Sequence, residues 1–187
     1  MMDSRGDDSK RSGLTQEQRF GLAVSALLTE LNGEEHDILE GGMPGEEIMK
    51  DAREALREWW RVEERSDLLG LLSWLLEEGD REECEEGKDN PSSMLAWDLC
   101  RLVTAARWGA GAEYLSRDEA WDWIEKSARR IRESFVSWAE MGESFLDGYL
   151  YWSEGRSDIY DEELDDIFND LLDPENEESP WNRVPWE

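Results

Sequence analysis

Few residues in this chain could carry out catalysis, since it contains one histidine and two cysteines. General acid–base and nucleophilic mechanisms rely most often on histidine, and here that residue, His36, stands between Glu35 and Asp37. No serine forms a triad pattern with it, and the sequence holds neither a Walker loop nor a dinucleotide-binding GxGxxG motif. We therefore predict that His36 is a solvated loop residue, with no catalytic residue and no cofactor in the chain.

Carboxylates near the C-terminal end have a spacing that could suit a metal ion. Five of them recur at short steps: Asp161, Glu162, Asp165, Asp166 and Asp170. Hard cations such as Mg²⁺ and Ca²⁺ take oxygen ligands of this type, but the segment lacks the central glycine and terminal glutamate of an EF-hand loop. A solvated acidic helix face is the favoured interpretation, and no metal is predicted.

A third candidate is a polar pocket in the tryptophan-rich centre of the chain, between Leu95 and Trp152. An indole ring needs a shaped pocket and a partner for its N–H group, and the chain has 11 tryptophans. The pocket would be lined by Trp97, Asp98, Arg101, Tyr114, Glu119, Trp121 and Trp138. It would bind a small anionic ligand through Arg101, or support an enzymatic reaction. The favoured alternative is that the charged members form buried ion pairs, which need close matching and mainly specify geometry.

The net charge of −28 limits the classes of partner. Nucleic-acid binding requires a basic surface, so we expect neither nucleic acid nor an anionic membrane as a direct ligand, whereas basic proteins and cations remain. The charge is uneven. Residues 91–135 hold seven acids and seven bases, residues 77–90 eight acids and two bases, and residues 153–187 thirteen acids and two bases. The acid is therefore concentrated in a connecting segment and at the C-terminal end.

These two acidic segments predict a binding surface for a basic protein partner. The residues assigned to it are Glu82, Glu83, Glu85, Glu86, Asp161, Glu162, Asp165 and Asp166. Complementary electrostatic fields steer association and raise on-rates. We therefore predict a non-enzymatic acidic binding module of unspecified oligomeric state. The alternative, given about equal weight, is that the acidic residues only improve solubility.

Length and hydropathy predict a single cytoplasmic domain. The sequence contains no apolar run near the roughly 20 residues that span a bilayer, and residues 1–12 have no apolar signal-peptide core. We expect residues 1–12 to be a disordered lead-in and residues 13–187 to form one helical domain.

The predicted fold is all-α, because apolar residues recur at three- and four-residue steps and no period-2 strand is apparent. One compact domain of about six to seven helices is expected from this periodicity. The helices are placed over residues 14–31, 46–60, 67–78, 91–107, 117–133, 138–152 and 161–172. Predicted helix starts include Ser66, Ser116 and Ser137, the last two in capping boxes with Glu119 and Glu140.

The C-terminal tail, residues 179–186, combines two prolines with two tryptophans. Proline lacks the N–H group that a helix interior needs, so a helix is not expected there. Large indole rings favour burial. We therefore predict an extended Trp/Pro tail that lies against the helical domain.

Several motifs in this order resemble a bacterial family known as domain of unknown function 1266, over about residues 21–186. The matching pieces are Leu31-Asn32-Gly33, Trp97-Asp98-Leu99-Cys100-Arg101, Tyr114-Leu115 with Glu119-Ala120-Trp121, Ser137-Trp138, Gly148 with Trp152, and Ser179-Pro180-Trp181. The family often has Gly-His-Arg where this chain has Gly79-Asp80-Arg81. The missing histidine weakens a catalytic interpretation for this member.

The resemblance implies membership of a family with no settled activity. Genes of the family lie in some bacteria beside secreted polymorphic toxins. The resemblance therefore implies, as an expectation, an immunity role in which the acidic protein neutralises a basic, toxin-like partner.

Overall fold

The computed structural model describes residues 13–83, 94–153 and 159–186, with the side chains of residues 82, 83 and 159–161 left out. Within these ranges the regular structure is helical and contains no strand, which confirms the all-α prediction. The α-helices are α1 (Gln16–Val24), α2 (Ala26–Leu31), α3 (Glu46–Trp60), α4 (Arg65–Glu77), α5 (Leu95–Gly111), α6 (Arg117–Ser134), α7 (Trp138–Ser153), α8 (Ile159–Leu172) and α9 (Pro180–Arg183), with a 3₁₀ turn over Asp80–Glu83. The predicted lead-in, residues 1–12, lies outside the described residues.

Helix α5 is the centre of the fold. It packs against α3, α4, α6 and α7 and also contacts α1 and α2. The helix is therefore buried on every side, and Leu99, Leu102 and Val103, for example, have no exposed surface. A helix surrounded in this way must either be apolar all round or pair its polar groups internally. Because α5 carries Asp98, Arg101 and Arg107, these charges must find partners inside the domain. No helix of the described residues is long and apolar enough to cross a membrane.

The first predicted helix, residues 14–31, is interrupted at Ser25 and forms α1 and α2. The Ser25 hydroxyl donates a hydrogen bond to the carbonyl of Leu22 at 3.1 Å. Such a local side-chain bond competes with the helical backbone ladder and bends or breaks it. The predicted end at Asn32 and Gly33 is confirmed, since Asn32 follows the last residue of α2 and Gly33 has a φ of +65°.

The start of α4 differs from the prediction. Glu64, rather than Ser66, is the N-cap, and it forms a capping box with Asp67. Ser66 lies inside the helix, and its hydroxyl donates to the Glu64 carboxylate at 2.5 Å. The predicted start of α5 at residues 90 and 91 lies outside the described residues.

Of the two predicted capping boxes, the one at α6 forms completely and the one at α7 forms only in part. Ser116 and Glu119 form both halves of theirs. At α7, the Glu140 N–H donates to the Ser137 hydroxyl at 3.2 Å, but the Glu140 carboxylate accepts from the N–H of Val136. The second cap therefore reaches one residue further back than a capping box does.

The prediction of an extended, non-helical C-terminal tail is wrong over Pro180–Arg183, which forms the helical turn α9. Pro180 occupies the first helical position, where no N–H group is needed, and the Ser179 hydroxyl caps the turn by accepting from the N–H of Trp181. Burial of Trp181 is confirmed: its side chain is 4% exposed. Its indole N–H donates to the carbonyl of Ala23 at 2.9 Å. The tail therefore forms a short helix and is also fixed to α1 by the indole of Trp181.

Candidate functional site

A cleft of about 740 Å³ opens between a loop and two other parts of the fold. The loop, residues 34–44, connects α2 to α3 and is called the 34–44 loop below. Facing it are the first residues of α6 and the segment 176–183. We call this opening the His36 cleft, after the chain's single histidine, which lines it.

The 34–44 loop is held in place by Arg107 of α5, which is completely buried. Its guanidinium donates hydrogen bonds to the carbonyls of Leu39 at 3.1 Å, Glu35 at 2.7 Å and Ile38 at 3.2 Å, and to the Thr29 hydroxyl at 2.5 Å. Three of these acceptors are backbone carbonyls of the loop. Because a buried carbonyl without a donor is costly, the arginine fixes the path of the loop over α5.

A carboxylate balances this buried cation. Glu34 Oε2 lies 3.3 Å from Nη1 of Arg107, and Glu34 Oε1 accepts from the indole N–H of Trp108 at 2.5 Å. Burial lowers the pKa of the Arg107 guanidinium, while the charges of Glu34 and Glu40 act in the opposite direction. The negative charge of Glu34 in the loop therefore balances the buried positive charge of Arg107 on α5.

His36 lies in a loop, as predicted, but it is only partly solvated. Its side chain is 17% exposed, and Nε2 lies 2.6 Å from Oε1 of Glu30, near the end of α2. The other ring nitrogen, Nδ1, is buried and has no hydrogen-bond partner among the described residues. The carboxylate favours a proton on Nε2, which leaves Nδ1 as an acceptor in the neutral ring.

Glu40 is a second buried polar group at the His36 cleft. Its side chain is 5% exposed, and Oε1 pairs with the guanidinium of Arg117 at the start of α6. Oε2 is buried without a hydrogen-bond partner in the described part of the chain. At another point of the cleft lining, Arg183 lies 3.2 Å from Asp37 and 3.7 Å from Glu178. These ion pairs join the loop to α6 and to the C-terminal segment.

Three of the predicted pocket residues, Trp97, Asp98 and Arg101, form a packed ion-pair network. Asp98 is fully buried and accepts from the backbone N–H of Asp80 at 3.0 Å, from Nη1 of Arg81 at 2.8 Å and from Nη2 of Arg101 at 2.7 Å. Arg101 also bonds Asp80 at 2.6 Å and stacks over the Trp97 ring at 4.5 Å. These contacts fit the structural alternative, in which the charges lock helices together.

Tyr114 and Glu119 meet at the opposite end of α5. Arg65 of α4 bonds the Glu119 carboxylate at 2.6 Å and the Tyr114 carbonyl at 2.7 Å. About 20 Å of helix, at 1.5 Å per residue, separates Asp98 from the end of α5. Tyr114 and Glu119 therefore cannot share a pocket with Asp98 and Arg101.

The last two predicted pocket residues lie elsewhere again. The Trp138 ring contacts Phe20, with ring centroids 4.6 Å apart, and stacks on Trp181 at 5.8 Å. Its indole N–H donates to the carbonyl of Val184 at 2.9 Å. Trp121 lines the His36 cleft. The structure thus distributes the seven residues over separate sites and does not bring them together in one pocket.

We expect the Glu119 carboxyl to titrate far below its ordinary pKa. The hydrogen bond from Arg65, followed by those from the Ser116 N–H and hydroxyl, lowers the pKa of Glu119 from 4.5 to about 2. Because the folded pKa is depressed, the stabilisation by this pair is complete above the ordinary pKa and is lost as the pH falls through the folded one. A ¹³C NMR titration of the side-chain carboxyl measures this value.

An Arg65→Met variant supplies the matched test. It should raise the Glu119 pKa part of the way towards 4.5, because the Ser116 hydrogen bonds remain, and it should weaken the acid dependence of unfolding below that pH. Arg57→Met, on the exposed side of α3, should leave the Glu119 titration unchanged. An unchanged Glu119 pKa in Arg65→Met would contradict the assignment.

The predicted acidic surface is described only in part. Glu162, Asp165 and Asp166 are exposed on α8. The backbones of Asp161, Glu82 and Glu83 lie in α8 and in the 3₁₀ turn, and their side chains are not described. Glu85 and Glu86 lie outside the described residues. Across the side chains that are described, no three His, Cys, Asp or Glu residues converge in a way that could hold a metal ion.

Comparison with known proteins places the chain in one family. Residues 85–186, more than half of the chain, match the model of DUF1266, a protein family of unknown function. The chain belongs to this family. No curated protein and no solved structure matches it.

The family match shows where the shared motifs lie in the fold. It begins before α5 and ends after α9, so it includes the Trp97–Arg101 network, the Ser116 cap and the Trp181 anchor. The 34–44 loop lies outside it. The His36 cleft is therefore built from one wall inside the matched region, with Arg117 and Arg183, and one wall outside it, with His36 and Glu40.

Proposed function

We propose that this protein is a non-enzymatic, acidic binding module of the cytoplasm that occupies a basic protein partner through the outer face of α8. The observation that carries the proposal is that the exposed acids of this face have no cationic partner among the residues that the structure describes. Glu162, Asp165 and Asp166 make no ion pair with any described side chain. Their charge is therefore available to a partner.

The orientation of α8 leaves this face to solvent. The helix packs against α2 and α7, with Leu164 and Leu171 each 1% exposed. The acidic residues named above are exposed, whereas these two apolar residues of the same helix are buried. A like-signed row on one helix face produces a field that accelerates the approach of a cationic protein.

Other carboxylates of the chain are used differently. Asp98, Glu40 and Glu119 each bond an arginine of the same chain. These pairs hold helices and loops together and leave little charge for a partner. The contrast supports a division of labour, with structural carboxylates inside the fold and association carboxylates on α8.

An immunity function is the specific form of the proposal that the family resemblance favours. If the partner is a toxin directed at nucleic acid, its cationic surface binds phosphates, and the α8 carboxylates take the place of those phosphates. Occupying that surface would neutralise the toxin without any catalytic step by this protein.

The test compares two triple variants with the same change in net charge. Glu162→Lys/Asp165→Lys/Asp166→Lys reverses the α8 face, and Glu47→Lys/Asp51→Lys/Glu54→Lys reverses exposed residues of α3. Tagged wild type and both variants are used to recover partners from the source cells at about 0.15 M salt and again at a concentration that screens surface charges. The recovered partner is then identified and its association rate measured.

We expect one dominant basic partner that is released by salt. The α8 variant should associate about tenfold more slowly or worse, because steering depends on local field strength, whereas the α3 variant should stay close to wild type. Equal effects of the two variants would show that only total charge matters and would contradict a specific α8 surface. Recovery of an acidic or salt-resistant partner would contradict the electrostatic mechanism.

A further inference from the structure

We propose that the His36 cleft is a binding site for a ligand that carries an alkylammonium or guanidinium group. The proposal concerns a different part of the surface from the acidic face of α8 and does not depend on it. It follows from the charge of the cleft, from two buried atoms that lack partners among the described residues, and from the apolar side chains in the same lining.

The charge of the cleft favours a cation. Its lining contains five carboxylates, those of Glu30, Glu35, Asp37, Glu40 and Glu178, against two arginines. Both arginines are already paired, Arg117 with Glu40, and Arg183 with Asp37 and Glu178. Within the described part of the lining, Glu30 and Glu35 have no arginine or lysine partner, and Glu30 contacts the His36 ring. An anionic ligand would be repelled.

Two buried atoms indicate that the ligand donates hydrogen bonds. Glu40 Oε2 and His36 Nδ1 are both buried and lack partners among the described residues. A carboxylate oxygen only accepts, and Nδ1 accepts when the proton is on Nε2. Native proteins leave few such groups unsatisfied, since a buried polar atom without a hydrogen bond destabilises the fold. An ammonium or guanidinium group has N–H donors and no acceptor, so it suits the acceptor character of each atom and the charge of the cleft.

The shape and apolar lining of the cleft suit the rest of such a ligand. Its volume of about 740 Å³ lies within the range of small-molecule sites, about 300–1,000 Å³. Leu14, Met43 and Trp121 also line it, and Met43 is 77% exposed. These side chains could contact the aliphatic stem that carries the cationic group. A metal ion is a poorer match, since no trio of ligating side chains converges within the described residues.

The ligand class has two sources, a free amine and a lysine or arginine side chain of another protein. We would titrate the full chain with cadaverine and, separately, with Nα-acetyl-lysine amide. The neutral control is 1,5-pentanediol, which has the length of cadaverine without its charges. The buffer contains about 0.15 M NaCl, which weakens nonspecific attraction to the acidic surface.

The readout is the imidazole of His36, observed by NMR after ¹⁵N labelling of histidine and removal of any affinity tag. The chain contains one histidine, so the ring signals belong to His36, and their couplings to the ring carbon-bound protons distinguish Nδ1 from Nε2. Binding should shift the Nδ1 resonance and saturate, with at least about tenfold higher affinity for an amine than for the diol. Tighter binding of cadaverine indicates a free amine, and tighter binding of the capped lysine indicates a side chain of a partner.

Two variants separate the cleft from general attraction to an acidic protein. Glu40→Gln should weaken amine binding about tenfold or more. Because Glu40 also pairs with Arg117, Glu35→Gln provides a second variant at an exposed residue, and it should weaken binding in the same direction. Glu162→Gln on α8, which removes the same charge, is the control and should leave the affinity unchanged.

The proposal is overturned if neither amine shifts Nδ1 of His36, or if the diol binds as tightly as the amines. It is also overturned if Glu162→Gln weakens binding as much as Glu35→Gln, because the attraction would then be nonspecific. None of these results bears on the binding of a basic protein by α8, which is tested separately by the Lys triple variants.

Discussion

An Arg107→Met variant is expected to lose about 3–5 kcal/mol of unfolding free energy, the usual effect of removing one partner from a buried charged network. Methionine fills much of the same volume but donates no hydrogen bond. The carbonyls of Leu39, Glu35 and Ile38 would lose their donor, and the Glu34 carboxylate its buried cation. Urea unfolding followed by tryptophan fluorescence measures the loss.

Arg57→Met is the matched control for this prediction. Arg57 is exposed on α3, so its replacement should change the unfolding free energy by less than about 0.5 kcal/mol. Hydrogen exchange adds a local measurement, because the N–H groups of Glu35 and Gly41 are bonded within the 34–44 loop. Arg107→Met should increase their exchange more than that of α7 amides. A loss below about 1 kcal/mol would contradict the anchoring role of Arg107.

Much of the fold could be predicted because its signals are local. The apolar spacing from Glu46 to Trp60 predicts α3 with its observed bounds, and the capping box of Ser116 and Glu119 predicts the start of α6. The break at Ser25 depends on a hydroxyl that bonds a carbonyl of the previous turn, and serine makes this choice only in some contexts. The sequence does not reveal which choice it makes here.

The C-terminal tail is helical at Pro180 although proline is rare inside helices. Proline disrupts a helix interior, but it is well suited to the first helical position. Ser179 before Pro180 is a capping residue followed by a residue that needs no N–H donor, which is a helix-start signal. The burial of Trp181 was predicted from the size of its side chain. That prediction does not depend on whether the backbone of the tail is extended or helical.

The seven predicted pocket residues do not meet in one pocket, and the length of α5, which the sequence predicts, explains why. Asp98 and Arg101 are one helical turn apart and form the expected ion pair. Tyr114 follows the end of the same helix, and the rise of about 1.5 Å per residue puts it too far away. Residues that are close together in the sequence of this region are therefore far apart along the helix axis.

The His36 cleft could not be predicted in the same way. The partner of His36, Glu30, is six residues away across a turn, and the loop is fixed by Arg107, about 70 residues further on. Glu40 pairs with Arg117 from yet another helix. Contacts of this kind depend on the tertiary arrangement, because most of them join residues that are far apart in the sequence.

A Gly79→Ala variant is expected to lose about 3 kcal/mol of unfolding free energy or more, since it would break the buried Asp98 network. Gly79 has a φ of +67°, and a Cβ atom there would lie 2.0 Å from Oδ2 of Asp98 and 2.6 Å from Nη1 of Arg81. The Asp98 carboxylate is short and held by hydrogen bonds from Asp80, Arg81 and Arg101. It cannot move away without losing them.

Gly33→Ala separates this clash from backbone strain. Gly33 has nearly the same φ, +65°, but a Cβ atom there meets nothing within 4 Å. Its substitution should therefore cost only the strain of a left-handed residue, about 1–2 kcal/mol. The difference between the two variants, measured by urea unfolding, reports the displacement of Asp98 alone. Equal losses would mean that the network tolerates the displacement, and that the close approach of Gly79 to Asp98 contributes little to stability.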